Sequence, residues 1–168
     1  MSGKINIVFG FFYLAFTAVL GPAFLVPQFG ARGAAMAKAG EAVTAAQTTD
    51  ASSAQKTAVA LSSLMDALKA QQINGKGAHS HGNLEALLNI VAGFILLSLA
   101  IPGAFKKLLT LMFIVGALFH SGILYLGAVF GVMAAFKFII IGEVSLIGGL
   151  VLMGVAVAMG IKGKDGCR

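Results

Sequence analysis

The chain has a single cysteine, at position 167 of 168, which excludes an intrachain disulfide and any metal site built from several thiolates. Tryptophan is absent and tyrosine occurs only at positions 13 and 125, so an interfacial aromatic belt would be thin. Charge is equally scarce. Only 11% of residues are charged, where a soluble domain carries about 25%. The 12 basic side chains outnumber the 6 acidic ones and give a net charge of +6. They sit at the ends of apolar runs and form no cluster interleaved with aromatics, which argues against nucleic-acid binding. There is no phosphate-binding loop, dinucleotide fingerprint, serine nucleophile elbow or zincin motif. No inverted pair of broken helices suggests a transporter.

What the chain has in quantity is apolar length: 58% of residues are hydrophobic and the mean hydropathy is +0.94. Four apolar segments stand out, at residues 5–26 (ending at Pro27), 84–101 (ending at Pro102), 108–130 and 138–161. Each reaches or approaches the ~20 residues that cross a bilayer. The expected fold is therefore all-α, one integral membrane domain over residues 1–168 forming a four-helix bundle in lipid. The first segment follows MSGK and is longer than a signal-peptide core, so it is expected to remain as a helix. The last two segments are joined by a tight turn around Gly131 to Lys137. The 22 glycines suit close helix contacts, with Gly127-x-x-x-Gly131 and Gly154-x-x-x-Ala158 as packing faces.

Lysine and arginine set the expected orientation. Lys4, Lys106, Lys107, Lys162, Lys164 and Arg168 fall on one side and only Lys137 on the short opposite turn. This places both termini in the cytoplasm of a cell inner-membrane protein. Residues 28–82 then lie outside. Within them Leu61, Leu64, Met65 and Leu68 follow an amphipathic helical spacing, and Met36, Ala39, Gly40 and Val43 repeat it more weakly. The intervening TTDASS offers Asp50 or Ser52 as an N-cap. An outer helical hairpin between the first and second membrane helices is expected, with INGKG breaking it before the histidines.

Polar residues are most informative where they are most costly. His81, Glu85 and Asn89 are spaced by four and share one helix face at the head of the second apolar run. Ionisable groups inside a membrane helix normally face the bundle interior and mark function. His79 and His81 precede that helix at its outer end. The third helix brings His120, Ser121 and Tyr125 to the same depth, and the fourth brings Glu143 and Ser145. Such a layer suits several chemistries. An imidazole can ligate haem iron. A His-x-His pair with a carboxylate can hold a divalent metal. A His–Glu chain can relay protons. Tyr125 can donate a hydrogen bond or act as a general acid. Gly116, Gly122 and Gly127 leave room near His120 that a flat macrocycle or a neighbouring backbone could fill.

From Ala78 to Tyr125 the chain resembles the styrene oxide isomerase family of small four-helix membrane proteins. The shared features are A-H-S entering a helix, an asparagine further in, paired lysines at PGAFKK, and a tyrosine near the outer end of the third helix. The resemblance implies a homotrimer that binds haem b near its subunit contacts. It also implies an iron-ligating histidine at the start of the second helix. Ferric iron would act there as a Lewis acid on the epoxide oxygen of a small hydrophobic substrate, giving an aldehyde. Carried onto this chain, the ligand is His79 or His81, the asparagine falls near Glu85 or Asn89, and the tyrosine is Tyr125. The family's third-helix aspartate has no match, since Gly116 or Ala117 stands near its place; His120 and the long alanine-rich loop are further departures. The string His79-x-His81-x-Asn83 is also similar to small relatives of haem-copper oxidase subunits. The expectation is a haem-b-binding membrane protein, either an epoxide isomerase or a redox or sensing protein. His81 is favoured as iron ligand, His120 is the second axial ligand or a distal group, and Tyr125, Asn89 and Glu85 are the catalytic candidates. The alternative is a metal-binding or accessory subunit of a larger membrane complex.

Overall fold

The computed structural model describes residues 2–47, 53–73 and 76–160. Among them every regular element is helical and there is no strand. Four stretches are long and apolar enough to cross a membrane, at residues 3–23, 77–98, 103–129 and 133–160. The expected all-α, multi-pass character is therefore present, with different boundaries.

The first difference is at the prolines. Helix α1 (Ser2–Leu20) does not run on to Pro27; a π-helical turn (Gly21–Leu25) follows it directly and leads into α2 (Val26–Gln47). Pro22 has no N–H and its ring crowds the carbonyl four residues back, so the ladder widens into a π turn there. Pro27 falls inside this continuous helical stretch, in the first turn of α2, and does not end it. The second difference is at the histidines. Helix α4 (Lys76–Ser98) already contains His79 and His81. The start of the apolar run is not the start of the helix: Lys76 and Gly77 of the expected INGKG break are already helical, and Gly77 and Gly82 weaken the helix without ending it. That helix also ends at Ser98, before Ile101.

The described residues up to 19, together with those from 77 onward, form one compact unit; residues 20–76 form another. In the second unit α2 packs against α3 (Ser53–Ile73). The inward side of α2 carries Met36, Ala39, Gly40 and Val43, matching the weaker of the two expected stripes. On α3 the least exposed positions are Thr57, Ala60 and Leu64, while Leu61 and Met65 stay about half exposed. Ala39 and Ala60, each 5% exposed, lie at the contact, and of the expected stripe Leu64 shares that face while Leu61 and Met65 do not; the side chain of Leu68 lies outside the described residues. The caps expected at Asp50 or Ser52, and the break at Asn74 and Gly75, lie outside the described residues.

The first unit contains α1, α4, α5 (Gly103–Phe119), the short α6 (Ser121–Leu124) and α7 (Ile139–Gly160). Its apolar core joins Leu96, Leu109, Phe113, Met153 and Ala156 from α4, α5 and α7. After α6 a π turn (Tyr125–Val129) leads to Gly131, whose φ of +78° turns the chain into the 3-10 segment Met133–Phe138. Gly127 lies under the Phe136 ring, whereas nothing lies within 4 Å of a Cβ at Gly154.

Helix α1 joins α4 and α5 through polar groups. Asn6 Nδ2 donates to Asn89 Oδ1 at 3.0 Å. Asn89 Nδ2 donates to the carbonyls of Glu85 at 3.0 Å and Phe113 at 3.1 Å. Asn6 and Asn89 are fully buried. In lipid, where apolar contact alone does not distinguish one helix pairing from another, such bonds fix register. Thr110, 7% exposed, adds a hydroxyl that finds no partner among the described residues. Thr110→Val keeps the shape and removes an unpaired hydroxyl. It is expected to leave stability unchanged or raise it by about 1 kcal/mol. Unfolding of the purified protein in a detergent titration measures this, and a clear loss of stability would mean that the hydroxyl is bonded.

Candidate metal centre

The site begins with an interruption in a helix. Helix α5 ends at His120, whose φ of −101° and ψ of −80° lie outside the helical region. The ladder keeps its register on either side: His120 N–H donates to Gly116 at 2.9 Å, and its carbonyl accepts from Leu124 N–H at 3.0 Å. The break frees Ser121 N–H, which turns to Glu85 Oε2 at 3.3 Å. In a regular helix that N–H would donate to the Ala117 carbonyl. Here the Tyr13 hydroxyl, at 3.2 Å, and Ser121 Oγ, at 3.1 Å, approach that carbonyl instead. Helix α7 makes room for the break through Gly142. A Cβ there would run into the His120 nitrogen and the Phe119 carbonyl group.

Glu85 is 3% exposed and receives three donors. His120 Nδ1 lies 2.5 Å from Oε1, and Ser121 N–H and Oγ–H both reach Oε2, the hydroxyl at 2.5 Å. No lysine or arginine pairs with this carboxylate among the described residues. An ionised carboxylate has acceptor sites for all three donors. With Nδ1 engaged, the remaining nitrogen of His120 has no hydrogen-bond partner among the described residues. The His81 ring stands 4.8 Å from it, centre to centre, at 77°. His81, Glu85 and His120 each offer an atom within 4.8 Å of the others, a group able to hold a metal ion.

The other expected site residues are placed differently. His79 faces α1, with Nδ1–H donating to the Thr17 carbonyl at 3.0 Å and Nε2 accepting from Asn83 Nδ2 at 3.2 Å. Thr17 closes this second cluster by donating to Asn83 Oδ1 at 2.7 Å. Both nitrogens of His79 are thus occupied. Asn89 lies one turn deeper and touches Glu85 only through its backbone carbonyl. Tyr125 is 3% exposed, its ring lies edge-on to Phe16, and its hydroxyl has no partner among the described residues. Glu143 and Ser145 make no described hydrogen bond to the layer. Two of the glycines expected to leave space are occupied by side chains: a Cβ at Gly116 would meet Leu146, and one at Gly127 would meet Phe136.

Reasoning from the sequence missed the contribution of α1. Tyr13 reaches Ser121 Oγ at 2.8 Å, and Thr17 and Asn6 anchor the layers on either side. A signal was present: positions 6, 13 and 17, the polar residues of an otherwise apolar run, are spaced by seven and four and share one helix face. No protein-family model, curated protein or solved structure was found to match this chain.

Proposed function

We propose that this chain is a multi-pass membrane protein that binds one transition-metal ion through His81 and His120, with Glu85 behind His120 as the orienting carboxylate. The orientation set by the lysines puts this layer toward the outer face of a cell inner membrane, with both termini cytoplasmic. The observation that carries the reading is a convergence: two imidazoles meet beside a buried carboxylate that no lysine or arginine partners among the described residues. An isolated buried carboxylate is strongly disfavoured, so a cation beside it is the natural complement. A carboxylate holding one imidazole nitrogen while the other ligates is the recurring outer-shell arrangement of metal sites.

The spacing favours a bare ion over haem b. With metal–nitrogen bonds of about 2.1 Å, two imidazoles on adjacent positions of one ion hold their ring centres about 4.6–5.3 Å apart, and two on opposite positions about 6.5 Å. The observed 4.8 Å suits adjacent positions, whereas the two axial ligands of haem are opposite. The occupied nitrogens of His79 and the filled spaces at Gly116 and Gly127 argue in the same direction. Two or three protein ligands leave positions open, and a metal so held supplies Lewis-acid chemistry to an oxygen-bearing substrate.

The test is to purify the full chain in detergent, strip it with a chelator and reload it with Co²⁺ or Zn²⁺. One equivalent per chain is expected, lost in His81→Ala and in His120→Ala. A Soret band in the untreated protein would replace this reading with haem. Neither metal nor pigment would leave the accessory-subunit reading.

A further inference from the structure

We propose that Tyr13 and Ser121 are positioning residues for the metal-facing imidazole. Their donors fix the Glu85 carboxylate, which in turn holds His120 in the tautomer protonated at Nδ1, keeping Nε2 open. The metal reading above supplies the purpose of this arrangement; the chain itself stands on geometry.

The direction follows from counting protons. Ser121 has one hydroxyl proton and lies 2.5 Å from Glu85 Oε2, a distance typical of a hydroxyl donating to a carboxylate. Its oxygen is then left to accept, and the one proton of the Tyr13 hydroxyl has two acceptors, Ser121 Oγ at 2.8 Å and the Ala117 carbonyl at 3.2 Å, of which the serine oxygen is the nearer. At the other oxygen, a carboxylate can only accept, so the proton between Oε1 and His120 Nδ1 belongs to the nitrogen. The links converge on Glu85: Tyr13 to Ser121 and Ser121 to Oε2 on one side, His120 Nδ1–H to Oε1 on the other. Reversing the His120 tautomer would set a nitrogen lone pair against a carboxylate oxygen at that distance. The donors on Oε2 supply orientation, because they fix the rotation of the Glu85 carboxylate and so aim Oε1 at His120 Nδ1.

The chain is also held rigidly. Tyr13 is 7% exposed, Ser121 is fully buried, and Tyr13 stacks on Phe9 with ring centres 5.2 Å apart. Tyr13→Phe would keep that stacking and remove only the proton donor. Tyr13 comes from α1, Ser121 from α6 and Glu85 from α4, so three elements must be in register before His120 is set. The neighbouring His79 is fixed in the same tautomer by an independent pair, Thr17 and Asn83, and serves as an internal reference.

The experiment uses the full chain in detergent micelles, metal-free, with ¹⁵N-labelled histidine; His120 is assigned by its loss in His120→Gln. The wild-type ring is expected to carry its proton on Nδ1. Ser121→Ala and Tyr13→Phe should shift its signals toward the Nε2-protonated tautomer while those of His79 stay in place. Ser121→Thr, which restores a hydroxyl, should return the wild-type pattern. In a parallel Co²⁺ titration, Ser121→Ala and Tyr13→Phe should each bind about tenfold more weakly, as outer-shell substitutions do. A wild-type His120 protonated on Nε2 would overturn the proposal, as would a folded Ser121→Ala and Tyr13→Phe pair whose His120 signals do not move. If the tautomers respond but the wild type takes up no Co²⁺, the metal reading falls and the positioning chain stands.

Discussion

Glu85→Gln is expected to lower metal affinity by about 100-fold, the upper end of what loss of an outer-shell partner costs. It should also destabilise the protein by about 2 kcal/mol. The substitution keeps the side chain's size, so the effect is one of polarity. Three donors converge on the two oxygens of Glu85. Glutamine offers one oxygen to accept and places an NH₂ where a second acceptor is required, so a donor faces a donor inside an apolar span. The negative charge that would balance a cation at His81 and His120 is lost as well. Metal titration and detergent unfolding on the same preparation separate the two effects. Metal retained at wild-type affinity would remove Glu85 from the site. Unchanged stability would mean that the three contacts are worth no more than their replacements by water.

The second large effect is expected at a residue that has no side chain at all. Gly142→Ala should destabilise the protein by about 1–3 kcal/mol through overpacking, even though alanine is the better helix former by about 1 kcal/mol. The added methyl would meet backbone atoms of Phe119 and His120, which cannot move aside as a flexible side-chain tip can. The same change at Gly154, on the same helix, meets nothing within 4 Å. Gly154→Ala should therefore show the helix-propensity gain alone. Opposite signs at two glycines of α7, read from unfolding midpoints, would tie the break at His120 to the packing of that helix. Destabilisation at both positions would point to a partner covering Gly154.

These positions show how far the sequence could be read. Four apolar runs were visible because lipid demands length and hydropathy, and a four-residue spacing correctly placed Glu85 and Asn89 on the buried side of α4. The same spacing hid a rotation. Four residues overshoot a turn by about 40°, so His81 sits on the exposed rim while Asn89 is fully enclosed. The stripe is a slanted line from surface to core. The helix break at His120 had no signature, since it depends on Gly142 from another helix and on a serine whose own N–H is redirected. Pro22 was passed over in favour of Pro27 because a π turn absorbs a proline without ending a helix. On α3 the larger apolar residues suggested the packing face, yet the face is rotated toward Ala60 and keeps only Leu64 of them among the described residues.

The three polar residues of α1 carry one more consequence. Asn6, Tyr13 and Thr17 each bond to a different depth of α4, α5 and α6, through Asn89, Ser121 and Asn83. They act as the cuts of a key, and a slip of one residue or a rotation of one step would leave every cut without its tumbler. The fit of α1 is thus encoded in its own side chains and not in the chain that follows it. The intervening residues 20–76 belong to a separate compact unit and supply none of these three bonds.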